Sequence, residues 1–579
     1  MYCMKTRFKY IIILFFILFL LTSVLLSCNS EDFSLPTSNN IGIEVSEQET
    51  ESEGQLSEET MFLNMKAKQD KNPLSDINVR KAIMYAVDRE RIIEEIFGGY
   101  NYVSNSLLAI GSPFWRPSWG KYYYNLEKAS EYLGKSGHGV ENPLYLTISA
   151  VNNSYSKRII ENIIKEDLQK IGINLWIYNE SPKEFYHNYV YSGNFDLGLW
   201  SLYVFDKDDI LSSFSSDKIP SMETEENRNC ENFYWYSNDN VENLLKGLDA
   251  LQDKEIKKEK IKDIQDILAK DAVILPLYNR LFVFAYDIHL RNVELEVIED
   301  QIFYEIENWT MPLENIIPEG EKSEIIIGYE SDNIDIFNGF KPYSINDLIF
   351  KGLWKKNNDG SYYPDLAEAF EQYKNELTEI IGDDISITLK DNIFWSDGNP
   401  ITSEDVKYTF EYFRYFMEEM EYYSSLDEEY NKIADIEVID EKSFTIIFDE
   451  PVDDWQKLFP MVFKQGHFDR GDNESLLYTR IISSGPYKII EYDTSEQMVL
   501  EVNENYYGKR PEIERIIIKF DMDINNLIHM LKESEINFLS IPVDPELMNI
   551  LEEENDMNLI IKEGNLVEHL ALSLKPEEE

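Results

Sequence analysis

The stretch Phe62-Leu-Asn-Met-Lys-Ala-Lys-Gln-Asp-Lys-Asn-Pro-Leu-Ser-Asp-Ile-Asn-Val-Arg-Lys-Ala-Ile-Met-Tyr-Ala-Val-Asp-Arg89 decides how the chain is read. Its first residues, Phe62 to Lys66, alternate as a short strand. A polar turn closes at Pro73, and an amphipathic helix follows. Val79, Ile83 and Val87 recur at helical spacing with Ala82 and Ala86, so that face points into a core. Asp76 precedes Asn78 as a candidate helix cap.

Working outward, 579 residues exceed what one hydrophobic core organises, and at least two packed lobes are expected. The apolar fraction, 43%, is that of a globular protein. The formal net charge is -54. Such an acidic surface repels phosphates and argues against nucleic-acid binding. It attracts cationic ligands, or is simply a solvated face.

Upstream, Lys5, Arg7 and Lys9 precede an uncharged apolar run from Ile11 to Leu26, the pattern of a signal peptide. Leu25-Leu26-Ser27-Cys28 resembles a bacterial lipobox, which implies lipidation at Cys28; the alternative is an uncleaved membrane anchor. The other cysteines are Cys3, in the leader, and Cys230, so no intramolecular disulfide framework is expected. Asn29 to Thr60 is polar and acidic, and a disordered tether is predicted there.

Beyond the opening stretch, strands and helices alternate. Helices are predicted at Leu126–Leu133, Tyr155–Ile171, Val241–Leu251 and Ile256–Lys270. Strands are predicted at Leu144–Ala150 and Ile173–Tyr178, while Gly193-Asn-Phe-Asp-Leu197 resembles a strand entry, and Ile274–Tyr278 a closing strand, of a known family. After the loop signals Ile317 to Ser323, Glu324 to Tyr329 reads as a strand. Leu389 to Phe410 follows (LKDNIFWSDGNPITSEDVKYTF), in which Asp397-Gly398 makes a turn. Thr402 or Ser403 then caps a helix with Val406 and Phe410 inward.

The opening stretch, Phe195-Asp196, Leu389 to Phe410 and Leu500 to Phe520 (LEVNENYYGKRPEIERIIIKF) together resemble signatures of the family 5 extracellular solute-binding proteins, the receptors of ABC importers of peptides and nickel. The resemblance covers nearly everything after Glu59, in swapped order. It implies an α/β, two-lobed fold of the class C periplasmic-binding-protein type, circularly permuted, with mixed sheets and flanking helices around a cleft. The implied organisation is a signal peptide with lipobox at 1–28 and a tether at 29–60. The family's second half falls at 61–316, a bridging loop at 317–323 and the family's first half at 324–579. Ala571-Leu-Ser-Leu-Lys575 resembles Phe62-Leu-Asn-Met-Lys66, as if one inter-lobe crossing strand were duplicated. The carboxy-terminal copy, with Leu570, Leu572 and Leu574 alternating over a longer run, is expected to take the slot.

Nothing in the sequence points to catalysis. The six histidines are scattered, no cysteine pair stands at metal spacing, and no nucleophile elbow or phosphate loop occurs. No catalytic residue, metal or cofactor is therefore expected. In peptide-binding members of the family, the segment like Phe195 to Asp209 carries a Trp and then an Asp that pairs with the peptide's amino terminus. By that resemblance Trp200, Tyr203, Asp206 and Asp208 are the candidate ligand-binding residues, although Asp206 stands one residue later than the family's spacing and Asp208 further off. A solvated loop is the alternative reading of both aspartates. The resemblance implies a monomeric, membrane-anchored receptor on the outer face of a bacterial cell. It would capture peptides or similar small solutes for the transmembrane subunits of an ABC permease. A sensory or structural lipoprotein that has lost transport, or a carboxylate-based hydrolase, are the competing readings.

Overall fold

The computed structural model describes residues 58–576 except 70–71, 204–212, 221–230, 247, 249–253, 294, 296–305, 312–322, 332–344, 357–361, 369–383, 421–429, 450–454, 467–480, 494 and 555. The expected leader, Cys28 and nearly all of the expected tether lie outside the described residues, as do Cys230 and most of the expected bridging loop.

An amino-terminal lobe comprises α1 (Glu58–Lys66), α2 (Ile77–Ala86), α3 (Arg89–Phe97), α4 (Leu126–Lys135), β1 (Leu144–Ser149), α5 (Tyr155–Gln169), β2 (Ile173–Ile177), α6 (Pro182–Phe185), β3 (Leu197–Tyr203), α7 (Asp239–Leu245) and α8 (Lys254–Asp271). The long strand β4 (Ile274–Asp287) leaves it. The carboxy-terminal lobe contains β5 (Glu324–Tyr329), α9 (Ile345–Ile349), β6 (Trp354–Lys356), β7 (Tyr362–Pro364), β8 (Ile385–Thr388), α10 (Ser403–Met420), β9 (Ile433–Val438), β10 (Ser443–Phe448), β11 (Tyr487–Asp493), β12 (Gln497–Val502), β13 (Arg515–Phe520), α11 (Ile524–Lys532), β14 (Phe538–Pro542) and α12 (Pro545–Glu552). The last strand, β15 (Met557–Leu572), returns to the amino-terminal lobe.

One ten-stranded mixed sheet runs through both lobes in the order β11-β12-β13-β5-β14-β4-β15-β3-β1-β2. A three-stranded sheet, β8-β10-β9, and the β6-β7 pair complete the carboxy-terminal lobe. The cores divide where β4 and β15 cross. One apolar cluster spans Leu74 to Tyr278 together with Leu570 to Leu572. The buried members of the others begin at Leu281 and Phe282, and Tyr100 and Tyr102 pack against one of them.

The opening stretch folds largely as read. Asp76 caps α2, its Oδ1 accepting from the Asn78 N–H at 2.8 Å. Val79, Ala82, Ile83, Ala86 and Val87 are buried. The signature arginines are structural. Arg80 donates to the carbonyls of Leu74, Ser75 and Asp271. Arg89, 5% exposed, donates to the carbonyls of Ser104, Pro276, Trp119 and Tyr122 and to Asn105 Oδ1. A guanidinium satisfied by carbonyls ties a helix start to β4 without a buried carboxylate partner. Burial lowers it to about 10, still protonated at neutral pH.

One local expectation is corrected. Phe62 to Lys66 is the end of helix α1, not a strand, and the helix already begins at Glu58, inside the predicted tether. Glu58 and Glu59 in its first turn and Lys66 in its last complement the helix dipole. Phe62 packs edge-on against Tyr145 at 5.5 Å and tilted on Trp176 at 5.7 Å. Lys66 pairs with Asp196. Gln69 bonds both the N–H and the carbonyl of Tyr145, supplying a β1 segment that β3 does not reach.

The crossing slot belongs to the other copy. β15 pairs antiparallel with β4 on one side and with β3, from Leu566 to Leu572, on the other. The chain continues through Ser573, whose N–H donates to the Asp196 carbonyl, and Leu574, whose N–H donates to that of Tyr234. The Asn72 amide donates to the carbonyls of Ser573 and Lys575 at 3.2 and 3.1 Å.

Candidate functional site at the lobe junction

Strand polarity places the site. β1, β2 and β3 are mutually parallel, as are β5, β13 and β14. The carboxyl end of β3, Tyr203, stands opposite Leu566 of β15, and that of β14, Pro542, stands opposite Phe282 of β4. Phe282 in turn pairs with Lys562. The carboxyl ends of both sets therefore converge on one short length of the β4–β15 ladder. In open α/β sheets, ligands bind in the crevice outside the carboxyl ends of the strands.

The ladder is irregular at that level. Between the pairs Glu563–Leu281 and Val567–Asn279, β15 spends three residues, Gly564, Asn565 and Leu566, against Arg280 alone. Between Glu568–Tyr278 and His569–Pro276, β4 spends the extra residue, Leu277. Pro276 has no N–H to give the ladder, which favours an interruption beside it. Bulges break pairing and admit bending, so the two crossing strands are softest where the lobes meet.

Helices start at the crevice side of each lobe, and their caps account for many of its polar groups. Ser154 caps α5 and Ser181 caps α6 in the amino-terminal lobe, while Asp523 caps α11 and Asp544 caps α12 in the other. Several acids around the crevice are thus helix caps first. Tyrosines crowd the amino-terminal rim. Tyr155 and Tyr178 are exposed, and the Tyr178 ring lies 5.9 Å from Tyr189 in the π-helical turn Tyr186–Val190. Such turns are frequent at functional sites.

A polar group of residues lies beneath this rim. Glu568 of β15 accepts from the Ser201 hydroxyl at 2.8 Å and pairs with Lys157 of α5 at 3.3 Å. Lys157 also donates to the Leu199 carbonyl at 3.1 Å. One helical turn on, Glu161 is fully buried and accepts from Asn179 Nδ2 at 2.7 Å. Asn179 Oδ1 accepts from the Ala150 N–H at 2.8 Å. On the opposite face of β15, His569 is fully buried, 3.0 Å from the Tyr234 hydroxyl and edge-on to Trp200 at 5.0 Å. Burial holds this imidazole down at about 4.

The residues singled out from sequence are distributed unevenly. Trp200 is 4% exposed, packed among Phe185, Phe195, Tyr234 and His569. Tyr203 closes β3 at the crevice level. Asp206 and Asp208 lie outside the described residues. Sequence reading passed over Lys157, Glu161 and Glu568. The first two were detectable, as polar residues on the apolar stripe Ile160-Ile164-Leu168 of α5. Among the described residues no cluster of His, Cys, Asp and Glu could hold a metal ion, and no helix is long and apolar enough to cross a membrane.

Residues 30–220 and 361–577 match the family model described as bacterial extracellular solute-binding proteins, family 5 Middle. The chain is 25% identical over 229 residues to the probable D,D-dipeptide-binding periplasmic protein of Escherichia coli, covering 35% of this chain and 42% of that one. It is 21% identical over 219 residues to the oligopeptide-binding protein AppA of Bacillus subtilis, covering 34% and 36%. It thus spans no more than about two fifths of the length of these curated relatives. Similar solved structures include NikZ from Campylobacter jejuni with Ni(L-His), at TM-score 0.35 and 23% identity over 41% of this chain and 46% of that one. Another is AppA from Bacillus subtilis with a nonapeptide, at TM-score 0.31 and 17% identity over 38% and 44%.

Proposed function

This chain belongs to the bacterial extracellular solute-binding proteins of family 5, which are binding proteins rather than enzymes, and on that premise we propose that it captures a peptide or similar small solute in the lobe crevice for an ABC permease. The observation that carries this is the convergence of the carboxyl ends of both lobes' parallel strands on the bulged β4–β15 ladder. A solute touching both lobes favours the closed arrangement by its differential affinity, and the soft crossing strands let the lobes close. Tyr203, at the end of the strand that Trp200 packs from behind, is a proposed solute-facing residue, as are Asp206 and Asp208. Native mass spectrometry of the purified protein tests the reading: a co-purifying solute that raises the melting temperature on re-addition supports it. Turnover of that solute, or no binding across peptide, nickel–histidine and oligosaccharide panels, removes it.

The order of the halves is read as a circular permutation closed within one monomer. Two observations support it: the family model matches in two separate segments, and Ser573 and Lys575 meet Asn72 at the start of the signature turn. Permutation is tolerated where ordinary termini lie close together at the surface. Anchoring through lipid on Cys28 belongs to the same proposal. Cys28→Ala should release the protein from the membrane fraction, and retention there would make the leader an ordinary anchor.

A further inference from the structure

The group Glu568–Lys157–Glu161–Asn179 has a property that solute capture alone does not require. It links the hinge strand β15 to each parallel strand of the amino-terminal lobe. Glu568 and Ser201 join β15 to β3, the Lys157 bond to Leu199 joins α5 to β3, and Glu161 through Asn179 reaches the ends of β2 and β1. All three ionisable groups are nearly or fully withdrawn from water: Glu161 is 0% exposed, Glu568 6% and Lys157 9%. One ammonium therefore stands among two buried carboxyl groups. Neither Glu161 Oε1 nor Glu568 Oε1 has a hydrogen-bond partner among the described residues, but Lys157 Nζ stands 3.3 Å from Glu568 Oε1. A neutral carboxyl tolerates such a position better than a carboxylate does.

We infer that Glu161, Lys157 and Glu568 form a proton-linked positioning network that ties the hinge strand to the crevice floor. With Glu161 protonated, Lys157 serves Glu568 and fastens β15 to α5 and β3. When Glu161 ionises, two carboxylates compete for the one ammonium, and the hold on β15 slackens. The balance lies near neutrality, since burial pushes Glu161 up to about 7 against the Asn179 hydrogen bond and the charges of Lys157 and Arg158. Among the described residues, the surroundings add no second cation of comparable burial. β15 presents Glu568 and the neutral imidazole of His569, β3 the Ser201 hydroxyl, the second residue after β2 the Asn179 amide, and the π-helical turn the Tyr186 hydroxyl. β4 presents Tyr278, whose hydroxyl burial and the Glu568 charge keep protonated. From α3, Arg91 pairs with Glu166 and the Asp88 N–H donates to Asp167, more than a turn further along α5. The inference rests on the crevice reading only for its consequence in solute capture, because its test needs no solute.

The test is hydrogen–deuterium exchange of the full mature chain between pH 5 and 9, corrected for intrinsic rates, in segments 144–152 and 557–572. The comparison is between wild type and the isosteric Glu161→Gln. A group ionising at about 4.5 when exposed and about 7 when buried makes the opening constant rise by up to tenfold per pH unit in that window. Both segments of the wild type should show this excess over Glu161→Gln, and it should level off above pH 7. In Glu568→Gln the response of 144–152 should persist while that of 557–572 is lost. Parallel profiles for wild type and Glu161→Gln would overturn the inference, as would a response confined to 144–152 in the wild type. If neither variant folds, infrared difference spectra decide: a buried protonated carboxyl lost between pH 6 and 8, with a signal that persists in Asp347→Asn, upholds the inference, and its absence sinks it.

Discussion

Two stretches of related sequence, Phe62-Leu-Asn-Met-Lys66 and Ala571-Leu-Ser-Leu-Lys575, end in opposite structures. The first closes helix α1 and leaves Met61, Leu63 and Met65 exposed. The second closes β15, with Leu570, Ala571 and Leu572 fully buried between two neighbouring strands. Leu, Met and Lys are good helix formers, so the amino-terminal copy takes the conformation its composition prefers once no strand partner is offered. The carboxy-terminal copy is held extended by ladders on both sides. Even their terminal lysines settle around one loop: Lys66 on Asp196, Lys575 on the Ser192 carbonyl and Asn194 Oδ1. One slot in the sheet admits one occupant, and the loser of the contest becomes a helical prop beside it.

The comparison breaks most severely if the winner is removed. Deleting Val567 to Glu579 strips β3 of an entire ladder and takes away Val567, Leu570 and Leu572, each fully buried. At about 1.5–3 kcal/mol per large apolar side chain, the loss is of the order of a domain's whole stability. We expect loss of cooperative unfolding in the amino-terminal lobe by circular dichroism and calorimetry. If α1 instead unwinds and fills the slot, stability is largely retained and the two copies are interchangeable. A second contrast uses matched point changes. Leu570→Ala should cost about 3 kcal/mol in denaturant midpoint, the usual range for a core leucine. Leu63→Ala should stay within about 0.5 kcal/mol, as exposed positions do. Comparable losses would mean that both copies share the core.

The pH response separates the copies next. His569 is neutral in the fold and held at about 4 against 6.5 for the free group. The unfolded chain gains a proton below about 6.5 and the native one only near 4, so this group makes stability fall as pH drops through that window. The full effect is on the order of 3 kcal/mol. His569→Gln, read as the difference from wild type in melting curves, should remove that fall; an unchanged acid limb would show that the histidine titrates freely. Glu161 has the opposite sign, because its proton is lost first by the unfolded chain. Deleting Met61 to Lys66 should be the mildest of the segment changes. It loses the Phe62 ring contacts and the half-buried Lys66–Asp196 pair, about 1–2 kcal/mol together. A loss matching that of the carboxy-terminal deletion, or an oligomer seen by light scattering, would count against closure within one chain.

Local signals were legible where the chain's own neighbours supply the physics. Asp76 caps α2 because a carboxylate two residues before a free N–H needs nothing distant. Glu324 to Tyr329 is a strand with the predicted bounds, and Val406 and Phe410 of α10 point inward as their spacing requires. Asp397-Gly398 turns as read, Gly398 standing at φ 84°. The predicted strand Ile274–Tyr278 is real but much too short: β4 continues to Asp287, because its second half is held by β14 of the other lobe. Among the candidate site residues, Tyr203 ends β3 and Trp200 is buried in aromatic packing. A tryptophan in a strand reads the same from sequence whether its strand's face is covered or open.

The sequence by itself determined the family, the alternation of strands and helices and the caps, since each is written in residues close together along the chain. Only the tertiary structure decided which copy crosses between the lobes. It alone put Lys157 into contact with a crossing strand about four hundred residues away along the chain. It also turned the signature arginines into carbonyl clamps rather than ligand contacts. The reason is common to all three. Strand pairing, burial and the satisfaction of buried charge depend on partners distant in sequence, and a five-residue segment has no conformation of its own until those partners fill or refuse the neighbouring slot.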